Sequence, residues 1–393
     1  MQRLFWSVII FLPFLFANTL KANPNDTLKV VNWNLEYFGD KASELPNEMI
    51  YTKTIMDSLN ADIYALVEVV NKDSLISLVN SLNGDYGYMI APFGTLATSE
   101  LSSYWASDQK QAIIYRKSVV RNVTGRAFMK TSSSAYNDWG SGRFPFLVNA
   151  EILGADNKWT SIPFIIIHAK AYSDATSCTR RKDGAIELKD SLDQYFANNR
   201  FLLLGDYNDD LDTTICSNYT VSNYENFVND SLHYYSPTLA LSRQGISSIK
   251  GYTSFIDHVI MSDEMQTYYV PNSTEMLKSK VNNWVSNYNT YLSDHYPVES
   301  KYIITTPTSV AAVFENNFRV FPNPSSTLLN IEQKQASPCF YELYSMTGQL
   351  IFNANFSTKS AAISVENLAS GTYLLRITNQ QKTAAFFALI SKP

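Results

Sequence analysis

Short apolar runs that lack the alternating pattern of a half-exposed strand constrain the fold of this chain most. The runs span residues Ile63–Val67, Ile113–Tyr115, Phe164–Ile167 and Phe201–Leu204. Continuous apolarity over so few residues indicates strands buried on both faces. Such strands need a covering layer on each side, so the chain must build a layered structure around them.

Helical patterns alternate with these strands along the first three quarters of the chain. Apolar residues recur at helical spacing in Pro46–Leu59, Asp73–Leu82 and Arg180–Ala197, which predicts three amphipathic helices. Additional strands are predicted at Val119–Phe128 and Phe144–Ile152. The sequence therefore predicts an α/β fold, a four-layer α/β sandwich in which two packed sheets are covered by helices.

The length of the chain indicates more than one folded unit. A chain of 393 residues exceeds the roughly 250 to 300 residues at which a single core stops growing. A polar stretch with a proline, Thr305–Ser309, interrupts the pattern, and short alternating runs separated by Thr347-Gly348 and Ser370-Gly371 follow it. We predict an α/β domain over residues 27–303, a linker over 304–317 and a small all-β sandwich over 318–393.

The N-terminus has the pattern of an export signal. Met1-Gln2-Arg3 leads into an apolar stretch over Val8–Ala17, with a small residue again at Ala22. This predicts a secretory signal peptide over residues 1–22, because the stretch is short for a membrane span; an uncleaved membrane anchor is the alternative. Export permits disulfides, and a Cys178–Cys216 bridge and two free thiols are equally compatible with the sequence.

The charge of the chain is low. Charged residues make up 17% of the chain and the net charge is -5, compared with about 25% charged residues in ordinary soluble proteins. Such a chain has no overall attraction to nucleic acid or to an anionic membrane. Phosphate binding would have to come from local charge and a bound cation, so the composition neither supports nor excludes a nuclease.

Four segments end an apolar run in acid, amide or imidazole side chains. They are Ala65–Glu68, Leu204–Asn208, Phe255–His258 and Leu292–Val298. A carboxylate in the position of Glu68 is costly unless it leaves the core or meets a cation. Asp206 and Asn208 share one side of the chain and could orient a water and a phosphoryl oxygen, although an Asx turn is the alternative. These segments together suggest one metal-assisted phosphate-cleaving site.

Three of the four histidines of the chain fall at such strand ends. In a strand, neighbouring side chains point to opposite faces, so we expect Asp257 to reach the site and His258 to be structural. Asp294 and His295 precede Pro297 at a turn, where both can face a cleft. His168 ends a buried run, and there a single histidine is more often a core residue than a catalyst.

The predicted chemistry matches these residue types. Asn32, Asn34 and Glu36 lie on one face of the first strand. Mg²⁺ prefers oxygen ligands and keeps waters, so one or two carboxylates with an amide suffice. A phosphodiester also needs cationic or imidazole donors and an acid that orients water. The residues available for these tasks are Glu68, Asp206, His168, His295 and Arg143.

Residues 28–303 resemble the endonuclease/exonuclease/phosphatase superfamily, the fold of DNase I. The resemblance rests on segments that occur in the family's order. They are Trp33-Asn34, Glu68-Val69, Gly205–Asn208, Ile256–His258 and Ser293–Val298. The resemblance implies a DNase I-like four-layer sandwich and a metal-dependent phosphoric ester hydrolase, most of all a nuclease.

The resemblance also assigns roles to single residues. It implies that Glu68 is the principal ligand of Mg²⁺, with Mn²⁺ or Ca²⁺ as alternatives, and that Asn34 and Asp294 assist it. It implies that Asp206 orients or deprotonates the attacking water and that Asn208 helps to hold the water and the phosphate.

The remaining roles concern the phosphate. The resemblance implies that His295, paired with Asp257, stabilises the pentavalent phosphate, and that His168 is a second imidazole at the scissile group. Arg143 matches the family's phosphate-contacting arginine, while a plain surface charge is an equal alternative for it.

One departure from the family concerns the support of His168. DNase-like members carry a tyrosine and a glutamate where this chain has Ser107 and Gln109; Tyr104 or Asp108 are candidates to replace them. We therefore expect His168 to be less basic than its DNase I counterpart, which argues against DNase-like cleavage of double strands.

The tail resembles the C-terminal sorting domain of type IX secretion. The matching segments are Phe318–Pro324, Tyr344–Gln349 and Asn367–Leu374. The resemblance implies export through the periplasm of a Gram-negative bacterium to the outer cell surface or the medium, with the type IX secretion machinery as partner. A carbohydrate- or surface-binding β-module is the alternative.

The sequence thus predicts a secreted, monomeric, Mg²⁺-dependent phosphodiesterase that hydrolyses nucleic acid, DNA or RNA, by in-line attack of water, as an endonuclease does. A phosphomonoesterase and a sphingomyelinase-like lipid phosphodiesterase are alternatives on the same fold. The inositol-phosphatase branch is disfavoured, since Phe255–His258 replaces its Trp-Cys-Asp-Arg motif. A catalytically inactive surface-binding protein is a third hypothesis.

Overall fold

A computed structural model of the chain describes residues 27–40, 45–305, 318–345, 349–379 and 382–392. The predicted signal peptide over residues 1–22 and residues 306–317 of the predicted linker lie outside these ranges. Within them, the structure contains no helix that is both long enough and apolar enough to cross a membrane.

Two six-stranded sheets form the framework of the described α/β part. Its strands are β1 (Leu28–Phe38), β2 (Ile63–Val69), β3 (Tyr86–Ile90), β4 (Lys110–Arg116), β5 (Val120–Ala127), β6 (Phe146–Leu153), β7 (Trp159–His168), β8 (Leu202–Asp206), β9 (Tyr234–Tyr235), β10 (Asp257–Ser262), β11 (Glu275–Met276) and β12 (Val298–Tyr302). The first sheet has the order β11-β12-β1-β2-β4-β3 and the second the order β5-β6-β7-β8-β10-β9. Each predicted strand of this part is present.

Helices cover the sheets. They are α1 (Leu45–Leu59), α2 (Lys72–Ser81), α3 (Ala135–Asp138), α4 (Ala175–Tyr195), α5 (Glu225–Val228), α6 (Leu239–Arg243), α7 (Asp263–Gln266), α8 (Lys278–Trp284) and α9 (Tyr288–Tyr291). The three predicted helices correspond to α1, α2 and α4. Helix α4 begins five residues before its predicted start, because the Asp174 side chain accepts a hydrogen bond from the Ser177 backbone N–H and caps the first turn.

Side chains from β1 enter two different cores. Val30 belongs to the apolar core that also contains residues of β7, β8 and β10, whereas Val31 belongs to a second core that contains residues of α1 and α2. This is the burial on both faces that the apolar runs predict. The predicted four-layer α/β sandwich is confirmed.

The pairing of three strands in the second sheet brings polar residues together at one edge. β7 and β8 are parallel, with His168 opposite Asp206, and β8 and β10 are antiparallel, with Asp206 opposite Asp257. Gly205 makes the close approach of β7 possible: its φ is +143°, and a Cβ there would lie 1.9 Å from the Ile167 carbonyl oxygen.

The tail forms a small all-β sandwich, as predicted. Its strands are β13 (Phe318–Phe321), β14 (Leu328–Gln333), β15 (Cys339–Ser345), β16 (Leu350–Phe356), β17 (Ser360–Ser364), β18 (Gly371–Asn379) and β19 (Lys382–Ile390). They make a three-stranded sheet, β13-β14-β17, and a four-stranded sheet, β16-β15-β18-β19. A separate apolar core that includes Leu329, Leu343 and Leu375 lies within this part.

Candidate active site

The amide of Asn34 joins two acids from different sheets. Its Nδ2 donates to Glu68 Oε1 and to Asp206 Oδ2, both at 3.0 Å, while its Oδ1 accepts the Glu36 backbone N–H at 2.8 Å. The amide therefore turns its donor group, and not its oxygen, toward the carboxylates. In this orientation Asn34 fixes the positions of Glu68 and Asp206 relative to each other.

Glu68 lies where β2 departs from regular geometry. Its φ is +60°, and the register with β4 shifts between Leu66 and Val69. This irregularity re-aims the side chain that follows the buried run. Burial raises the pKa of Glu68, and the hydrogen bond from Asn34 partly opposes this effect.

Asp206 is fully surrounded at the end of β8. Its Oδ1 accepts the Asn208 backbone N–H at 2.8 Å, and Asn208 itself donates from Nδ2 to the Ala169 carbonyl at 3.2 Å. The turn that the sequence left as an alternative is thus present, with φ of +51° at Asn208, and it also points Asp206 into the site. Burial raises the pKa of Asp206 to about 7.

His168 packs against both acids. Its Nε2 lies 3.5 Å from Glu68 Oε1 and 3.8 Å from Asp206 Oδ2. Its Nδ1 has no hydrogen-bond partner among the described residues, so neither Tyr104 nor Asp108 replaces the missing support there. Burial and the charge of Arg143 lower the pKa of His168 well below its usual range, and the ring is neutral.

His295 lies among carboxylates, which shift its pKa in the opposite direction from that of His168. Its Nδ1 lies 2.8 Å from Asp257 Oδ2, which also accepts the Ser248 hydroxyl at 2.7 Å. Its Nε2 lies 3.8 Å from Asp206 Oδ2 and 3.7 Å from Asp294 Oδ1. Burial lowers the pKa of His295, but the Asp257 and Asp206 carboxylates outweigh burial and raise it well above the usual range.

His258 lies on the other face of β10 from Asp257. Its Nδ1 pairs with the Thr238 hydroxyl at 3.0 Å, and its Nε2 pairs with the Asp209 carbonyl at 3.2 Å. Burial lowers the pKa of His258 to about 3, so this ring is neutral. It has none of the site's acids as a hydrogen-bond partner among the described residues.

Gln109 connects Arg143 to Glu68. Its Nε2 donates to Glu68 Oε2 at 2.7 Å, and its Oε1 accepts from Arg143 at 2.5 Å. Arg143 also donates to the Ala169 carbonyl at 3.1 Å and is only 7% exposed. The surface-charge alternative for Arg143 is therefore wrong. The sequence marks Gln109 only as a departure from the family pattern and gives no signal for this role.

Several further residues support His295. The Ser293 hydroxyl donates to the Asn34 carbonyl at 2.8 Å and accepts the His295 backbone N–H at 3.0 Å. The Tyr288 hydroxyl donates to the His295 carbonyl at 2.5 Å. With Ser248, these residues position His295; the fold brings Ser248 and Tyr288 to it, whereas Ser293 is two residues away in sequence.

A cavity of about 320 Å³ opens over this cluster. Its lining residues are Tyr37, Glu68, Thr95, Gln109, Gly140, Ser141, Arg143, His168, Lys170, Ala171, Tyr172 and Arg180. The lining of the cavity therefore combines an acid and an imidazole with basic and aromatic groups.

Three potential ligand atoms for a metal ion, from Glu68, His168 and Asp206, lie within 4.8 Å of one another. The metal ligands predicted from the sequence were Asn34, Glu68 and Asp294. The structure places Asn34 as a donor between the acids and Asp294 beside His295 with 41% of its side chain exposed. Two buried carboxylates with raised pKa values favour a neutralising cation, and their oxygens suit Mg²⁺.

A disulfide lies beside the site. Cys178 and Cys216 are bridged, with their Cα atoms 6.1 Å apart. The Arg181 side chain donates to Cys216 Sγ and to the Lys170 and Tyr172 carbonyls at 2.9, 2.6 and 3.0 Å. The bridge is thus connected through Arg181 to the segment that lines the cavity.

Comparison with known proteins gives a family match for the tail and a fold match for the α/β part. Residues 319–390 match the family of secretion system C-terminal sorting domains, which marks the chain for export. The crystal structure of an endonuclease/exonuclease/phosphatase from Beutenbergia cavernae superposes with a TM-score of 0.52 and 11% identity, over 92% of this chain and 100% of that chain. The α/β part has the endonuclease/exonuclease/phosphatase fold.

Two further structures with this fold are similar at lower scores. The human Nocturnin catalytic domain with bound sulfate is 15% identical over 71% of this chain and 95% of that chain, with a TM-score of 0.48. The endonuclease/exonuclease/phosphatase from Bacteroides vulgatus is 12% identical over 71% of this chain and 99% of that chain, with a TM-score of 0.48. No curated protein matches the sequence of this chain.

Proposed function

We propose that this chain is an exported, divalent-metal-dependent phosphodiesterase that hydrolyses nucleic acid. The observation that carries the proposal is the pair of hydrogen bonds from Asn34 to Glu68 and Asp206, with an imidazole beside each acid. Acids that are distant in sequence are held together in a buried place, where they destabilise the fold unless they serve a cation and a substrate.

A cation fits beside Glu68. This carboxylate would be the principal ligand, and Asp206 and Asp294 are the neighbouring acids whose charge favours the ion. A bound Mg²⁺ or Mn²⁺ would offset negative charge on the scissile phosphate.

Asp206 is the residue proposed to orient the attacking water. Asn34 and the Asn208 N–H occupy one lone pair on each carboxylate oxygen, which fixes the plane of the group. A carboxylate with a pKa near 7 also accepts a proton readily at neutral pH. Asn208, in the same turn, is proposed to help hold the water and the phosphate.

The two imidazoles and Arg143 are proposed to contact the phosphate. His295 is positively charged through its pairing with Asp257, so it can stabilise the charge of the pentavalent phosphate. His168 is neutral and can donate a single N–H. Arg143 presents a buried guanidinium that is held in place by Gln109 and the Ala169 carbonyl.

Export completes the proposal. The sorting domain over residues 319–390 supports passage through the type IX secretion machinery to the cell surface or the medium, following a signal peptide at residues 1–22. A phosphodiesterase delivered there would meet nucleic acid outside the cell.

The decisive experiment is hydrolysis by the purified full-length protein with Mg²⁺. Plasmid DNA, RNA, sphingomyelin and phosphomonoesters are offered in parallel, with and without EDTA. The proposal requires metal-dependent release of nucleotides or oligonucleotides, and loss of that activity in Asp206→Asn and His295→Ala. Hydrolysis of only sphingomyelin would identify a lipid phosphodiesterase instead, and hydrolysis of only monoesters would identify a phosphomonoesterase. Full activity in either variant would remove that residue from the mechanism.

A further inference from the structure

One wall of the cavity has no part in the reaction proposed above. Lys170 and Tyr172 belong to the segment between β7 and α4, Arg180 lies in the second turn of α4, and Tyr37 is the penultimate residue of β1. These four side chains line the same cavity as Glu68 and His168. Their chemistry, two phenol rings and two cations, differs from that of the acid cluster.

The two tyrosines present their rings to solvent. Tyr172 is 72% exposed and Tyr37 is 49% exposed. Both have a left-handed backbone, with φ of +79° and +58°, which is strained for bulky residues. Strain of this kind is retained where the surrounding structure fixes a residue for a task, and it clusters at ligand-binding sites. Burial of the rings does not offset this strain, because both side chains are exposed.

The two cations share the cavity with the rings. Lys170 Nζ is 4.4 Å from the centroid of the Tyr172 ring, a cation–π distance that orients both side chains. Arg180 donates to the Asn137 carbonyl from Nε at 2.8 Å and to the Ser141 hydroxyl at 3.4 Å. With Arg143, three positive groups line the cavity, and Glu68 is the one acid among its lining residues.

Aromatic rings next to a row of cations match the chemistry of an unpaired nucleotide. A base can stack on a tyrosine ring only when it has left the stack of a duplex, and stacking on aromatic side chains tolerates any base. The backbone phosphates on either side of such a base need cations, and Lys170 and Arg180 line the same cavity as Arg143.

We propose that Tyr37 and Tyr172 stack against an unpaired base of the substrate. Lys170 and Arg180 then bind the phosphate next to the scissile one. The substrate of this site is therefore single-stranded nucleic acid, an inference that rests on the proposed function and names its substrate class.

The test uses one labelled oligonucleotide in three forms: single-stranded, annealed to its complement, and single-stranded with abasic residues in place of the central nucleotides. Hydrolysis is measured with Mg²⁺, and binding is measured separately by fluorescence anisotropy in EDTA. The wild-type chain is expected to bind and cleave the single strand at least about tenfold better than the duplex or the abasic strand, since stacking contributes at this level.

Tyrosine variants test whether the two rings cause the preference for the single strand. Tyr172→Ala and Tyr37→Ala should weaken binding of the single strand, and raise KM for it, by about 5- to 100-fold, with little further loss on the abasic strand. Tyr172→Phe keeps the ring and should retain near wild-type values. Tyr195→Ala removes a 64%-exposed tyrosine at the far end of α4 and serves as the matched control. Thermal unfolding confirms that each variant is folded.

Variants of the cations give an independent readout. Lys170→Gln and Arg180→Gln should each reduce the slope of log binding constant against log salt by about 0.7 for a single strand.

The outcomes separate the two proposals. Equal cleavage of duplex and single strand, or equal losses on abasic and normal strands in the tyrosine variants, would overturn the single-strand inference while the phosphodiesterase assignment stands. Absence of all hydrolysis would refute the proposed function, and the anisotropy measurements would still decide whether the rings and cations bind a single strand.

Discussion

His168 and His295 lie on two sides of the same carboxylate, yet they differ in charge. Each Nε2 is 3.8 Å from Asp206 Oδ2. His295 has Asp257 at its other nitrogen, whereas His168 has no partner there among the described residues and faces the charge of Arg143. Thus the second contact of each ring, and not its contact with Asp206, decides its protonation.

The pairing of His295 leads to a prediction about catalysis. Asp257→Asn removes the charge that keeps His295 protonated, so kcat for oligonucleotide hydrolysis should fall by about 10²- to 10⁴-fold. The alkaline limb of the pH–rate profile should move to lower pH, because the pKa of His295 falls when the Asp257 charge is lost. Steady-state kinetics between pH 5 and 9 measure both effects.

Ser248→Ala is the matched control for this prediction. It removes a second hydrogen bond to the same Asp257 oxygen and leaves the charge in place. Its kcat should fall by less than that of Asp257→Asn, because the charge that keeps His295 protonated remains. A wild-type kcat in Asp257→Asn would show that His295 does not depend on its partner.

His258 leads to a prediction about stability. Its pKa is about 3 in the folded chain and about 6.5 when unfolded. The free energy of unfolding that the chain owes to neutral His258 is therefore fully present above pH 6.5. It is lost as the pH falls toward 3, at up to about 1.4 kcal/mol per pH unit, because the unfolded chain takes up a proton that the folded chain does not. His258→Gln should have a lower Tm than wild type at pH 7.5 and a shallower decline between pH 6.5 and 4.

Calorimetry of both chains across that pH range measures this difference. Parallel Tm curves for the wild-type chain and His258→Gln would contradict the assignment of a neutral, buried His258.

At the residue level, sequence patterns could indicate the acids and histidines because each ends an apolar run. They could not indicate Gln109, Ser248 or Tyr288, since these come from loops and strand starts that approach the site only in three dimensions. They also could not indicate that Asn34 donates to the acids. The orientation of its side-chain amide depends on the Glu36 backbone N–H, which donates a hydrogen bond to the amide oxygen.

The segment between β7 and α4 is the element on which the cavity depends most. It carries Lys170 and Tyr172, and its two carbonyls accept hydrogen bonds from the buried Arg181. Arg181 is held in turn by contact with the sulfur of Cys216. The apolar spacing of the sequence does not predict the start of α4, because the first turn is polar and the helix begins at the Asp174 cap.

The disulfide should therefore affect both stability and substrate binding. Replacing both cysteines in Cys178→Ser/Cys216→Ser frees the unfolded chain across a 38-residue separation and should cost about 2 to 4 kcal/mol of unfolding free energy. KM for the single strand should rise as Arg181 and its segment loosen, while kcat should change less. Urea unfolding and steady-state kinetics give the two values. An unaltered KM would show that the disulfide does not affect substrate binding in the cavity.

The whole molecule divides into parts with separate cores. The two apolar clusters of the α/β part contain residues up to Ile304, and the cluster of the tail begins at Phe318. The site residues all precede that point. The boundaries predicted from the polar linker sequence thus remain a proposal that can be tested by truncation.

A chain that ends at Thr305 should keep kcat and KM within about twofold of the full-length values, since distant independent units contribute additively. Expressed in a secreting host, it should stay inside the cell, whereas the full chain reaches the medium or the surface. Activity assays on the purified truncated chain and fractionation of the culture measure the two results. Loss of folding in the truncated chain would show that the tail is part of the hydrolase.

Gly205 has a consequence for any effort to alter this protein. His168 and Asp206 are neighbours across β7 and β8 because one position between them lacks a carbon atom that would collide with the Ile167 carbonyl. Even alanine would force the two strands apart and separate His168 from Asp206. A mutational library should therefore keep glycine at this position, whatever it varies elsewhere in the cleft.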